Sequence, residues 1–130
     1  MRTLLAATLL GLAALPAAAD EPRLPPDPTY KAECGSCHVA YPPKLLPAPS
    51  WQQLMQRLDR HFGSDASLDA KAQDEISRYL AANAGRRDAP PGAEPRITET
   101  RWFRKEHGAV KNPADCLACH KGAEKGIYED

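Results

Sequence analysis

Two stretches with the same skeleton decide how this chain folds: "CGSCH" at residues 34–38 and "CLACH" at residues 116–120. Each places two cysteines three positions apart and a histidine directly after the second cysteine. This Cys-x-x-Cys-His spacing is the attachment signature of a c-type haem. The sequence therefore predicts two covalently bound haem c groups, attached through the thioethers of Cys34, Cys37, Cys116 and Cys119.

The histidine of each motif is the predicted proximal ligand of an iron, His38 for the first haem and His120 for the second. Two other uses of the cysteines compete with this interpretation. Four cysteines in an exported chain can form two disulfides, and Cys-x-x-Cys-His also resembles half of a zinc site. A disulfide framework has no need for two histidines at matching positions, and this favours haem.

The N-terminus has the layout of a cleavable signal peptide, predicted over residues 1–19. A short basic start precedes an apolar run from Leu4 to Leu15, and an A-x-A cleavage site follows at residues 17–19. The apolar run is too short to span a membrane, although an uncleaved anchor is the alternative. We therefore expect an exported, periplasmic chain that begins at Asp20 and does not itself span the membrane.

Composition agrees with a small fold packed around haem. The chain has 13 prolines and no long strand-like runs, so its own side chains provide little core. Two porphyrins would supply much of the missing apolar surface. The 17 basic and 17 acidic residues balance, and nothing in this pattern indicates a nucleic-acid partner.

Helix signals predict a mostly α fold. Asp27 caps a helix that runs from Pro28 into the first motif, and a capping box at Ser50 opens a helix that ends at Gly63. Three further helices are predicted at Leu68–Ala84, Glu99–His107 and from the cap-plus-proline pair Asn112-Pro113. The predicted domains are a first haem unit over 20–85, a proline-rich linker over 86–95 and a second haem unit over 96–130.

Each iron also needs a ligand on its far side, and His61, His107 and Met55 are the candidates. Met55 lies in the middle of an apolar stripe, which is typical of core packing. His61 and His107 each lie near a helix C-terminus, where an imidazolium that only caps the helix is the alternative. Two irons and two remaining histidines favour both as ligands.

We favour local pairing, with His38 and His61 on the first iron and His107 and His120 on the second. Local pairs close short loops and make each unit self-contained. Crossed pairs would close longer loops, but the difference in loop entropy is small. The sequence leaves this alternative open.

With these residues identified, the chain resembles the small dihaem cytochromes c with bis-histidine ligation. The resemblance is carried by the first motif and by "HFG" at 61–63, "WFRKEHG" at 102–108 and "NPADCLACH" at 112–120. It implies an N-terminal half like the class I single-haem cytochromes c, with histidine replacing the usual methionine. It also implies a C-terminal half of short helices around a second haem.

The same resemblance implies an electron carrier rather than an enzyme. The partners it implies are redox proteins, namely a small oxygen-binding high-spin cytochrome c and a membrane cytochrome b. Histidine on both faces of each haem predicts low-spin, low-potential iron, as methionine ligation would raise the potential. The alternative is a haem enzyme or gas-binding protein in which one haem keeps an open position. We expect a monomer.

Overall fold

The computed structural model describes residues 27–128, which form four α-helices joined by loops and 3₁₀ turns. The helices are α1 (Pro28–Cys34), α2 (Ala48–Met55), α3 (Ala70–Asn83) and α4 (Arg101–His107). The 3₁₀ turns are Pro43–Leu45, Leu58–Arg60, Ile97–Glu99, Cys116–Ala118 and Ala123–Lys125. No strand occurs within residues 27–128, and the predicted mostly α fold is confirmed.

The predicted signal peptide, residues 1–19, lies outside the described residues. Within residues 27–128, every helix is too short or too polar to cross a membrane. The longest helix, α3, has 14 residues, whereas a crossing needs about 20.

Side chains satisfy the exposed N–H groups at the start of three helices. The Asp27 carboxylate accepts from the backbone of Tyr30 at 2.9 Å, which confirms the predicted start of α1. Asp69 caps α3 in the same way, and this helix begins at Ala70, two residues after the predicted start. The hydroxyl of Thr100 accepts from the N–H of Phe103 at 3.2 Å and begins α4. Such caps stabilise a helix by about 1 kcal/mol.

Helix α2 differs from its prediction at both ends. It begins at Ala48, so the predicted capping box at Ser50 is wrong: Ser50 lies inside the helix and is buried. Proline is tolerated in the first turn of a helix, and Pro49 therefore does not delay the start. The helix ends at Met55 rather than near Gly63, and Gln73 of α3 donates to the Met55 carbonyl at 2.8 Å.

The predicted helix from Asn112-Pro113 into the second motif is also wrong. Only the 3₁₀ turn Cys116–Ala118 forms there, and the Asp115 side chain caps it by accepting from the N–H of Ala118. The capping residue is therefore Asp115, three positions later than expected. Among residues 108–128, Ala123 alone is buried, so this segment contributes little to the core.

One apolar cluster forms the core of the described residues. Helices α1 and α2 both pack on α3, with Ile76 and Leu80 of α3 at the centre. The cluster comprises Tyr30, Leu46, Trp51, Met55, Ile76, Leu80, Ile97 and Phe103. Because Ile97 and Phe103 belong to it, the packed core runs across the predicted boundary between the haem units. The division into a first and a second haem unit stays a prediction, and it concerns which residues attach each haem rather than how the core packs.

The proline-rich loop after the first motif is held at several points. The indole N–H of Trp51 donates to the Pro43 carbonyl at 2.8 Å. The N–H of Gly85, just after α3, donates to the Leu46 carbonyl at 2.8 Å. A Cβ at Gly85 would collide with the Lys44 carbonyl, so glycine permits this close approach. The loop is thus held by a hydrogen bond from α2 and by another from the residue that follows the C-cap of α3.

Candidate haem-binding sites

The four histidines of the chain come together as two facing pairs. The ring centroids of His38 and His61 lie 6.3 Å apart, and those of His107 and His120 lie 6.1 Å apart. An imidazole nitrogen binds a first-row metal at about 2.0–2.1 Å and lies about 1.1 Å from its ring centre, so two rings on opposite sides of one ion are about 6.2–6.4 Å apart. The first separation falls within this range, and the second lies about 0.1 Å below it.

His38 directly follows the first Cys-x-x-Cys pair and is oriented by its neighbours. Its Nδ1 lies 2.8 Å from the carbonyl oxygen of Val39. A carbonyl only accepts, so Nδ1 carries the proton and donates, which leaves the lone pair of Nε2 for a metal. The Tyr41 ring stacks on the imidazole at a centroid distance of 4.7 Å. These contacts hold the ring in one tautomer and one orientation.

A tight turn, rather than the end of a helix, presents His61. The N–H of Ser64 donates to the His61 carbonyl at 3.0 Å, and the two intervening residues have positive φ. Gly63 adopts its φ of 92° readily, but the φ of 48° at Phe62 costs roughly 1–2 kcal/mol for an L-residue. The Arg96 guanidinium lies 4.1 Å from the centre of the Phe62 ring and offsets part of this strain.

The electrostatics around His61 favour the neutral imidazole. Burial lowers the pKa of His61, and the nearby His38 and Arg96 lower it further, while Glu94 opposes them. The Nδ1 atom is buried and has no hydrogen-bond partner among the described residues. Buried polar atoms are nearly always paired in folded proteins. A neutral ring whose polar atoms are not used by the protein suits a metal ligand.

His107 is the last residue of α4, and the helix itself fixes its ring. Its Nδ1 donates to the Phe103 carbonyl one turn earlier, at 3.1 Å, so Nε2 is again the atom left for a metal. The Phe103 ring stacks on the imidazole at a centroid distance of 4.0 Å with 8° between planes. Gly108, with a φ of 59°, then turns the chain away after the predicted end of the helix at His107.

His120 faces His107 from the turn that carries the second motif. Its backbone N–H donates to the Cys116 carbonyl at 2.8 Å, which ties the histidine to the first cysteine of its own motif. The Tyr128 ring lies 5.5 Å from the imidazole. The planes of the second pair cross at 74°, whereas those of the first pair are 21° from parallel.

Sequence reasoning placed Phe103 on the same side of its turn as His107, but it missed the aromatic ring beside each of the other three imidazoles. The histidine–aromatic neighbours are His38–Tyr41, His61–Phe62, His107–Phe103 and His120–Tyr128. The spacing of Phe103 four residues before His107 on a helix is a usable signal for one of them. No local pattern marks the other three.

No disulfide joins any two of the four motif cysteines. Burial raises the pKa of Cys34 to about 11, with the Glu33 carboxylate adding to the effect, and burial also raises the pKa of Cys116. Within residues 27–128, no three His, Cys, Asp or Glu side chains converge as a metal-binding group, which disfavours the zinc alternative. The residues fit haem attachment instead.

A helical fold that sets two opposed imidazole pairs beside two Cys-x-x-Cys motifs defines a c-type cytochrome with two haems. Comparison with protein families agrees: residues 30–128 match the family described as dihaem cytochrome c. The chain belongs to this family, which comprises electron-transfer haem proteins with two covalently bound haem c groups.

Solved structures of dihaem cytochromes c are similar to the chain over most of their length. A crystal structure of DHC purified from Rhodobacter sphaeroides has 42% identity and a TM-score of 0.68, covering 78% of this chain and 96% of that one. The diheme cytochrome c from Shewanella baltica OS155 has 39% identity and a TM-score of 0.67, covering 78% of this chain and 86% of that one. No curated protein matches the chain.

Proposed function

We propose that this protein is a periplasmic electron relay, without catalytic activity, in which both haems have histidine on each face. The single observation that carries the proposal is the pair of imidazole separations, 6.3 Å and 6.1 Å, each of the size that one bound iron requires. Membership of the dihaem cytochrome c family supports it.

The chain's own residues have simple roles in this proposal. Thioethers of Cys34 and Cys37 hold the first haem, and those of Cys116 and Cys119 hold the second. When bound, each haem supplies an iron that changes between the ferric and ferrous states by one electron. The imidazoles on both faces exclude water and other ligands from the metal. They also keep the coordination unchanged between redox states, so little reorganisation opposes electron transfer.

Low reduction potentials follow from the same ligand set. Methionine as an axial ligand raises the potential of a c-type haem relative to histidine. Met55 is buried in the core cluster at 5% exposure, packed with residues of α2 and α3. It therefore acts as core packing, and histidine is left as the far-side ligand of both haems.

Electron exchange between the haems should be fast because they are near neighbours. A compact chain of this length has a radius of gyration of about 13 Å, which leaves little room to separate two porphyrins. The shared core cluster, which reaches from Tyr30 to Phe103, also prevents the two sites from moving apart.

The proposed partners are other redox proteins: a small oxygen-binding high-spin cytochrome c and a membrane cytochrome b. The surface beside the second site supports docking of an acidic partner to a monomer. A groove of about 340 Å³ runs along Trp102 of α4. Four cationic side chains and two carboxylates line it; the cations are Arg86, Arg87, Arg101 and Lys105, and the carboxylates are Asp88 and Glu106.

Carbon monoxide tests the proposal against an open haem enzyme or gas-binding protein. We expect the reduced holoprotein to bind no carbon monoxide on mixing, because histidine occupies both faces of each iron. The reduced protein is titrated with the gas and followed in the Soret band. Rapid, stoichiometric binding at either haem would show an open coordination position and reject the closed relay. A matched positive control is the His61→Ala variant discussed below.

A further inference from the structure

Tyr41 contacts both haem-binding regions. Its ring stacks on His38 at a centroid distance of 4.7 Å, with 23° between the planes. Its hydroxyl donates to the carbonyl of Ala114 at 3.0 Å, across 73 residues of sequence. Ala114 lies two residues before Cys116, the first cysteine of the second motif. One side chain thus joins the proximal histidine of the first site to the attachment segment of the second.

The backbone of Tyr41 is fixed from the core. The hydroxyl of Tyr30 donates to the Tyr41 carbonyl at 2.6 Å, and Tyr30 is only 3% exposed. The Trp51–Pro43 hydrogen bond holds the loop two residues further on. Tyr41 is therefore a rigid arm that extends from the core, through the stacked ring, to the second motif.

The second motif needs such an anchor because it has little packing of its own. From residue 108 to residue 128 only Ala123 is buried, and the regular structure consists of two 3₁₀ turns.

We propose that Tyr41 is a positioning residue that sets the placement of the second haem relative to the first. The stack on His38 fixes Tyr41 relative to the first haem site. The hydrogen bond to Ala114 fixes the second attachment motif relative to Tyr41. This proposal rests on the two-haem relay proposed above, but it concerns the relative placement of the haems rather than their coordination. Electron exchange within the relay then depends on a residue that is neither an axial ligand nor an attachment site.

Soret-region circular dichroism of the oxidised holoprotein tests the proposal. The transitions of two nearby porphyrins couple and produce a paired positive and negative band that depends on their relative orientation. We expect Tyr41→Phe, which deletes one oxygen atom and keeps the stack, to change this paired band while both haems stay low-spin. Amide exchange in residues 116–120 should accelerate by roughly two- to tenfold, the effect of losing one hydrogen bond.

Tyr79→Phe is the matched control, since Tyr79 is half-buried and its ring packs on Tyr30 rather than on a histidine. Its paired band and amide exchange should equal those of the unmodified protein. Tyr41→Leu removes the stack as well and should change the band further. An unchanged band and unchanged exchange in Tyr41→Phe would overturn the proposal, as would equal changes in Tyr79→Phe. Carbon monoxide binding by the unmodified protein would reject the closed relay without affecting this comparison.

Discussion

His61→Ala is expected to convert one of the two haems from low-spin to high-spin. The variant removes the imidazole that faces His38 at 6.3 Å, and alanine has no atom that binds iron. The second pair should be unaffected because His107 and His120 lie on α4 and on the second motif, away from the His61 turn. The absorption spectrum should show one of the two haems per chain as high-spin. The reduced variant should bind one carbon monoxide per chain.

Two further variants make this result specific. His107→Ala should give the reciprocal outcome, with the second haem high-spin and the first unchanged. His61→Met should keep both haems low-spin, while raising the potential of one, because methionine sulfur remains a ligand. If His61→Ala altered the haem attached to Cys116 and Cys119, and His107→Ala altered the haem attached to Cys34 and Cys37, the pairing would be crossed. If neither altered any haem, the two histidines would only cap local structure.

The largest structural effect is expected for the double variant Cys116→Ala, Cys119→Ala. We expect the number of covalently bound haems to fall from two to one per chain, because this motif alone supplies the thiols near His120. The C-terminal segment should also loosen, since residues 108–128 bury only Ala123 and depend on the haem for packing. Mass spectrometry of the denatured protein counts the attached haems, and amide exchange reports on the segment.

Ala118→Ser is the matched control for this double variant. Ala118 lies between the two cysteines and is exposed, so a hydroxyl there should leave both haems attached. The reciprocal pair Cys34→Ala, Cys37→Ala should lose the other haem. Retention of two covalent haems in the Cys116, Cys119 variant would contradict the assignment of the second motif.

The elements that short-range chemistry determines were predictable from the sequence. Asp27 before a proline specifies the start of α1, and the spacing of Ala72, Ile76 and Leu80 specifies the buried face of α3. The Cys-x-x-Cys-His motifs specify the two haems because covalent attachment fixes their spacing. Each of these signals lies within one turn or one helix.

The features that the sequence did not show depend on contacts between distant residues. Helix α2 ends at Met55, where Gln73 from another helix binds its last carbonyl. His61 therefore reaches its partner from a turn with a positive φ at Phe62, stabilised by Arg96 from beyond the linker. A helical wheel over one continuous helix has no means of showing either contact.

The same limit explains why Tyr41 carried no signal. Tyr41 lies three residues after His38, but in a proline-rich loop this spacing does not predict that the two side chains are neighbours. Its hydrogen-bond partner, Ala114, is 73 residues away and contributes a backbone carbonyl, which any residue would supply. Contacts made through the backbone leave no trace in residue identity.

Low-temperature electron paramagnetic resonance of the oxidised holoprotein tests most directly whether imidazoles bind both irons from opposite sides. The angle between axial ring planes sets the splitting of the iron d orbitals that interact with them. The first pair, 21° from parallel, should give a rhombic low-spin signal. The second pair, crossed at 74°, should give a strongly anisotropic low-spin signal of equal intensity. A high-spin ferric signal from either haem, or two identical rhombic signals, would contradict the account.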